Sequence, residues 1–158
     1  MKLRSELMPP ALDEALVHRL AALAAQIDCG DPEQTKAELA AFNREALTDF
    51  DFYQFQGIYG GQEHETWVRN VLAGPYVRLV PDVSKDELVE MVRRLMEAEG
   101  TEEEMHFWLC MLEVNVPDEQ ISDLIYWPGE YFGDVDYPKE LSAEQLVDIA
   151  LARAASVK

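Results

Sequence analysis

The chain has 158 residues, enough for one domain or for two small ones. Hydrophobic residues make up 48% and charged residues 28% of it, which is ordinary for a folded protein that needs no metal or disulfide for stability. The charge is unusual, because 31 acidic residues against 13 basic ones leave a net charge of −18. A field of that sign excludes nucleic acid and anionic membrane as partners and favours a basic protein.

The negative charge is concentrated in the second half of the sequence. Residues 1–81 carry 12 acidic and 7 basic side chains, a net of −5, whereas residues 82–158 carry 19 and 6, a net of −13. No Lys or Arg occurs between Arg94 and Lys139. Hydrophobic residues interleave with these acids throughout, so we expect an acidic folded surface rather than a disordered tail.

No targeting or membrane segment is visible in the sequence. The first ten residues lack the continuous apolar stretch of a signal peptide, and nowhere do 18 apolar residues follow one another. Cys29 and Cys110 lack metal-ligand spacing and are expected as free thiols. These features predict a cytoplasmic protein with no cofactor and no metal.

Helical periodicity predicts three helices in the first half of the chain. Leucine and isoleucine recur at helical spacing over residues 12–27, and the Asp31-Pro32 pair supplies an N-cap and a first-turn proline for a helix over 31–47. Residues 48–61 are irregular and rich in aromatics, and a third helix is expected over 62–73. Prolines then bracket an extended connector over 76–80. We therefore predict a helical N-terminal region, residues 1–80, and a separate C-terminal domain, residues 81–158.

Capping boxes mark three helix starts in the second half. In this motif a Ser or Thr caps the helix while a Glu or Gln three residues later bonds back to the cap. The boxes at 84–87, 101–104 and 142–145 predict helices over 85–98, 102–115 and 143–155. The middle helix is apolar nearly all round, and core packing can use only one face. Its other faces are therefore either covered by the N-terminal segment or exposed for a partner.

Catalytic motifs are nearly absent. The Glu63-His64-Glu65 run resembles part of a zinc-protease motif, but the position of the second His is taken by Val68. Cys110 lies in an apolar run, where burial makes a thiol inert. We predict no catalytic residue, and an enzyme built around the Glu63-His64-Glu65 run is an alternative for the first half.

One short segment, residues 122–128, has the composition of a binding site. Proline at 117 and at 128 limits it to a short helix, in which Leu124 and Ile125 anchor one face. Tyr126 and Trp127 then point outward beside Asp123. Exposed aromatics next to a carboxylate are typical of a binding hot spot. The alternative is that both aromatics are half-buried under the loop that runs to position 138.

From about Asp82 to the C-terminus the sequence resembles the immunity proteins of DNase-type colicins and pyocins. Residues 122–128, Ser-Asp-Leu-Ile-Tyr-Trp-Pro, agree with the family pattern Ser-Asp-Leu-Ile-Tyr-Tyr-Pro at six of seven positions. The resemblance implies an all-α fold, with a C-terminal four-helix bundle whose third helix is short, preceded by an additional helical region. It also implies a 1:1 complex in which the protein docks beside the active site of a basic nuclease domain, blocks DNA by bulk and negative charge, and performs no chemistry.

The resemblance further assigns two sets of binding positions. The toxin-binding hot spot comprises Ser122, Asp123, Tyr126 and Trp127, and the specificity helix contributes Glu102, Met105, His106, Leu109, Cys110 and Glu113.

The sequence departs from the family pattern in three ways. Trp127 replaces the second Tyr, and the 129–137 loop is longer and carries Tyr131 and Phe132, which either enlarge the contact or fold back. Residues 1–80 have no recognised counterpart. An alternative function is therefore a helical adaptor that keeps the immunity scaffold without nuclease binding, in which Cys110 and the apolar helix serve an interface between domains.

Overall fold

The computed structural model describes residues 1–61, 63–118, 120–134, 136–137 and 140–156. These residues are 65% helical and contain no strand, so the predicted all-α class is confirmed. No helix among them is long and apolar enough to cross a membrane. The helices are α1 (Glu14–Ile27), α2 (Lys36–Ala46), α3 (Ile58–Gly61), α4 (His64–Ala73), α5 (Lys85–Met96), α6 (Glu102–Asn115), α7 (Ile121–Tyr126), α8 (Pro128–Phe132) and α9 (Ala143–Ser156), with 3-10 turns at Ser5–Leu7, Phe52–Phe55 and Gly74–Tyr76.

The chain divides into two compact units. Residues 10–75 form the N-terminal unit, whereas residues 1–9 and 76–158 together form the C-terminal unit. We call residues 1–9 the strap. The division thus differs from the predicted one at the very start of the chain, because the strap packs in the C-terminal unit.

In the N-terminal unit, α1, α2 and α4 surround a core that combines aliphatic residues with aromatic side chains. Phe42 and Phe55 are fully buried, and Phe50 and Trp67 pack on them with ring centroids 4.9–6.2 Å apart. Asn43 holds the irregular segment in place, since its side chain bonds both the N–H and the carbonyl of Phe50. Phe55 of the irregular segment is therefore part of the core and Phe50 packs against it, whereas Tyr53 is 78% exposed.

Helix boundaries differ from the predicted ones where a side chain caps a turn instead of a helix. Asp31 accepts hydrogen bonds from the N–H groups of Glu33 and Gln34, which closes a turn and delays the start of α2 to Lys36. Helix α5 ends at Met96 because Ala98 has a φ of 50°. The expected start of the third helix, at position 62, lies outside the described residues, and α4 begins at His64.

The C-terminal unit contains the four expected helices, α5, α6, α7 and α9, with α7 as the short third one. All three capping boxes form: Thr101 and Glu104, for example, exchange hydrogen bonds of 3.1 Å at the start of α6. The small helix α8 is an addition inside the loop between α7 and α9. Local capping chemistry thus places the starts of α5, α6 and α9 where the sequence predicts them.

The strap covers the apolar side of α6 that the sequence leaves unassigned. Leu7 is fully buried, and its carbonyl accepts a 3.1 Å hydrogen bond from the indole N–H of Trp108. Arg94 of α5 lies over the Trp108 ring at 4.9 Å and donates to Met8 Sδ at 3.6 Å. Within the C-terminal unit, therefore, the predicted alternative of coverage by the N-terminal segment holds for Trp108.

Replacing Gly100 with alanine is expected to destabilise the C-terminal unit by about 1–3 kcal/mol. Gly100 has a φ of 108°, and an added Cβ would lie 3.3 Å from the Trp108 ring. Gly74→Ala is the matched control, because Gly74 has helical backbone angles and open space around it. Chemical unfolding followed by far-UV circular dichroism measures both, and equal stability of the two variants would contradict the expectation.

Candidate functional site

The short helix α7 is fixed to the core by one face. Ile121 and Leu124 are buried, and Asp118 closes the turn that precedes α7 by accepting a 3.0 Å hydrogen bond from the N–H of Gln120. The opposite side leaves Tyr126 and Trp127 exposed, at 45% and 63% of their surfaces. The predicted outward orientation of this aromatic pair is therefore what the structure has.

Trp127 stands at the junction of two helices, and its backbone is held from both sides. Its N–H donates to the carbonyl of Asp123 at 2.6 Å, and its own carbonyl accepts from the N–H of Tyr131 at 3.1 Å. It is the C-cap of α7 and the N-cap of α8. A large exposed ring on a backbone fixed in this way loses little entropy on binding, which is the property of an anchor residue.

Asp123 and Ser122, the other two predicted hot-spot residues, lie half-buried on α7. Partial burial raises the pKa of the Tyr126 hydroxyl, so this group is neutral and can donate a hydrogen bond near neutral pH. The four positions lie on α7 and at its C-cap, and carry two rings, one carboxylate and two hydroxyls. Their role in binding stays a prediction.

The loop after α7 folds back through one of its two aromatic residues. Tyr131 is buried, and its hydroxyl donates a 2.6 Å hydrogen bond to Asp118 Oδ2. The guanidinium of Arg153 lies 4.6 Å above the Tyr131 ring. Because Asp118 also closes the turn before α7, this one carboxylate joins that turn to α8. The expected loop end at position 138 lies outside the described residues.

The second aromatic of the loop, Phe132, stays 40% exposed. Its ring meets Tyr131 edge-on at 4.9 Å and stacks on Tyr137 at 4.6 Å and 21°. The sequence leaves open whether Tyr131 and Phe132 fold back or enlarge the contact surface. In the structure Tyr131 folds back, whereas Phe132 lies at the surface.

The six predicted positions of the specificity helix share the side of α6 that faces away from the core. Glu102, His106 and Glu113 are exposed, and Met105, Leu109 and Cys110 are half-buried. The buried side of α6 comprises Phe107, Trp108, Met111, Leu112 and Asn115. The structure thus gives these six residues one common surface, while their part in partner choice stays a prediction.

The chemistry of this α6 surface offers no nucleophile. Both cysteines are free thiols, and Cys110 Sγ lies 3.5 Å from His106 Nε2. Burial, with a smaller contribution from the charge of Glu113, raises the pKa of the Cys110 thiol. The thiol is therefore protonated near neutral pH, as the sequence predicts for a cysteine in an apolar run.

Two clusters of titratable residues lie in the N-terminal unit. His64 Nε2 is 2.8 Å from Oδ2 of the buried Asp28, which also accepts from the N–H of Gly57. Glu14, His18 and Glu65 have potential ligand atoms within 4.8 Å of one another, but Arg69 donates to both of those carboxylates at 2.6–3.0 Å. The guanidinium of Arg69 is shared by the two carboxylates, so these side chains form an ion-pair network between α1 and α4.

Sequence reasoning missed the features that depend on distant residues. Nothing near Tyr131 predicts that its hydroxyl bonds a residue on the far side of α7, and Phe132 and Tyr137 meet only through the turn after α8. The pairing of His64 with Asp28 likewise joins residues 36 positions apart. A signal was present only for Phe132, as an aromatic in a loop that is longer than the family pattern.

Comparison with known proteins identifies the C-terminal unit. Residues 80–151 match the family described as colicin immunity protein / pyocin immunity protein. An uncharacterised protein of Bacillus subtilis (strain 168), YezA, is 41% identical over 69 residues, which are 44% of this chain and 88% of that protein. No solved structure matches the chain. With α5–α9 arranged as described, the chain belongs, through residues 80–151, to the family of colicin and pyocin immunity proteins.

Proposed function

We propose that this protein is an immunity protein that binds a cognate nuclease toxin, of the DNA-cleaving type, and inhibits it in the cytoplasm of the cell that makes the toxin. The complex is 1:1, and inhibition is by bulk and negative charge rather than by chemistry. The single observation that carries the proposal is the exposed Tyr126–Trp127 pair, held rigidly on α7 of a domain of the immunity family.

The charge distribution supports a nuclease as the partner. Nuclease domains are basic because they bind phosphates, and a strongly acidic surface is steered toward them by long-range attraction. The segment between Arg94 and Lys139 holds 12 acidic residues and no Lys or Arg. That segment includes α6, α7 and α8, which carry every residue of the predicted binding surface.

The adaptor alternative loses one of its reasons. In the adaptor alternative, the apolar surface of α6 serves an interface between domains. In the structure, however, Trp108 of α6 is covered by the strap, which belongs to the same C-terminal unit. Cys110 is only half-buried and lies on the predicted specificity surface. A nuclease-binding role uses both observations, since it needs a stable core under a partly apolar exposed face.

Mixing the purified chain with the nuclease domain of the toxin encoded beside its own gene is expected to stop plasmid cleavage at one molar equivalent. A basic nuclease of unrelated sequence is the control and should cleave at its full rate. The association rate is expected to fall at least about tenfold between about 0.1 M and about 1 M NaCl, where the Debye length drops from about 10 Å to about 3 Å. Undiminished cleavage by the toxin domain at molar excess contradicts the proposal.

A further inference from the structure

We propose that Phe132 and Tyr137, with the exposed carboxylates of Glu130, Asp134 and Asp136, form a second binding surface for the same nuclease domain, continuous with Trp127. We call these five residues the α8 surface. The inference rests on the proposed function and extends it, because it assigns toxin contacts to the loop that is longer than in the family pattern.

The first argument is that side-chain and backbone contacts anchor α8 to the C-terminal unit. The buried Tyr131 ties it to Asp118 through a 2.6 Å hydrogen bond, and Arg153 packs over the other side of the Tyr131 ring. The N–H of Tyr131 also bonds the carbonyl of Trp127. A helix of five residues has little stability of its own, so these contacts are what hold its outer face in one position.

The second argument is that the turn after α8 is closed by hydrogen bonds and not left loose. Gly133 has a φ of 68°, the N–H of Asp134 bonds the carbonyl of Gly129 at 2.8 Å, and the N–H of Tyr137 bonds the carbonyl of Asp134 at 3.1 Å. This turn brings the Tyr137 ring onto Phe132, with 4.6 Å between centroids. The stacked pair of Phe132 and Tyr137 is therefore preorganised, so binding free energy is not lost in ordering the two rings when a partner binds.

The third argument is continuity with the predicted hot spot. Trp127 precedes α8 and Phe132 is its last residue, so their Cα atoms are separated by about 7.5 Å along the helix axis at about 1.5 Å per residue. Both side chains are exposed, at 63% and 40%. At about 3.6 residues per turn the two positions are about 140° apart around the axis, so a partner that contacts both must cover more than one side of this short helix, while the buried Tyr131 serves as the anchor.

The fourth argument is charge, which selects the occupant. Glu130, Asp134 and Asp136 are exposed and lie close to the aromatic pair in the sequence, and no Lys or Arg precedes Lys139 in this part of the chain. Aromatic faces flanked by carboxylates suit an arginine or lysine side chain, through cation–π contact and charge pairing together. A second copy of the chain is disfavoured because it carries the same net charge of −18. The basic nuclease domain is the partner whose chemistry fits.

The test measures binding of the full chain to the nuclease domain encoded beside its gene, by surface plasmon resonance. Phe132→Ala is expected to raise Kd at least tenfold, mainly through faster dissociation. Phe132→Lys, which places a cation against a basic partner, is expected to raise it further. Because truncation at Phe132 could loosen Tyr131, unfolding of each variant is measured in parallel, and Phe132→Lys keeps a long aliphatic stem against that ring.

Tyr76→Ala is the matched control, since Tyr76 is an exposed aromatic of the same unit outside both surfaces. It is expected to bind within twofold of the wild type. If the wild type binds and Trp127→Ala weakens binding while both Phe132 variants bind like the wild type, the α8 surface is refuted and the proposed function stands. If the wild type does not bind at all, the proposed function itself fails.

Discussion

Alanine at Trp127 is expected to weaken binding to the nuclease domain by at least about 30-fold, which corresponds to about 2 kcal/mol, and alanine at Tyr126 by a similar factor. Both rings are exposed in the free protein, so a partner removes a large apolar area from water when it covers them. Both lie on backbone that is fixed by capping and by the buried Ile121 and Leu124. The loss should appear mainly in the dissociation rate, because neither ring carries charge.

A matched control separates a localised hot spot from the general loss of an exposed aromatic ring. Tyr53 is 78% exposed and belongs to the N-terminal unit, so Tyr53→Ala removes a comparable side chain away from the predicted surface. It is expected to leave Kd within twofold. Asp123→Ala is expected to slow association as well as to weaken the complex, since it removes a charge. Affinities within about tenfold of the wild type for both Tyr126→Ala and Asp123→Ala contradict the assigned hot spot.

The fold was predictable where local chemistry decides it. The three capping boxes place the starts of α5, α6 and α9, because each box satisfies orphan helix N–H groups with side chains only three residues away. Asp31 misled the prediction because the same side-chain chemistry also closes a turn. The strap was not assignable from the sequence, since the bond between Trp108 and Leu7 joins residues 101 positions apart.

The sequence predicted which aromatic residues α7 exposes, but not how far the exposed surface continues into the following loop. The sequence predicted that Leu124 and Ile125 anchor α7 and that Tyr126 and Trp127 lie outside; in the structure Leu124 is buried together with Ile121, Ile125 is half-buried, and both aromatics are exposed. The sequence could not decide between the two fates of the following loop, because Tyr131 and Phe132 are neighbours of similar character. Only the positions of Asp118 and Arg153 determine which of the two rings is buried.

Truncation of Leu7 to alanine is expected to lower the free energy of unfolding of the C-terminal unit by about 2–5 kcal/mol. Leu7 is fully buried, and its removal leaves a cavity beside Trp108. Deleting residues 1–8 is expected to cost more, because the indole N–H of Trp108 then loses its acceptor as well. Although the strap lies outside the matched family segment, it thus completes the core of that segment.

Chemical unfolding of the full chain, with hydrogen exchange of α6 amides to report on the C-terminal unit, measures these losses. Leu79→Ala is the matched control, since Leu79 belongs to the same unit but is 61% exposed. That change is expected to alter stability by less than about 0.5 kcal/mol. Protection of α6 that is unchanged by Leu7→Ala would show that the strap is dispensable for the core.

The attachment of the strap is also expected to weaken in acid. Arg4 donates to Glu87 at 2.7 and 3.0 Å, and this contact lowers the pKa of the Glu87 carboxyl. The pKa of the nearby Glu90 is lowered to about 2, chiefly by its hydrogen bond from Arg93. Since both lie below the unfolded value of about 4.3, the stability they contribute is present above about pH 4.3 and is lost as the pH falls toward about 2.

Arg4→Met tests this coupling, because it removes the guanidinium that holds the Glu87 carboxylate while keeping the long side chain. The variant is expected to be less stable than the wild type near about pH 7, and the difference should shrink as the pH falls below about 4 and Glu87 is protonated in both proteins. Lys2→Met, which removes an exposed strap cation, is the matched control and should show no such trend. A stability difference for Arg4→Met that stays constant from about pH 7 to about pH 3 would contradict the proposed coupling between Arg4 and the Glu87 carboxylate.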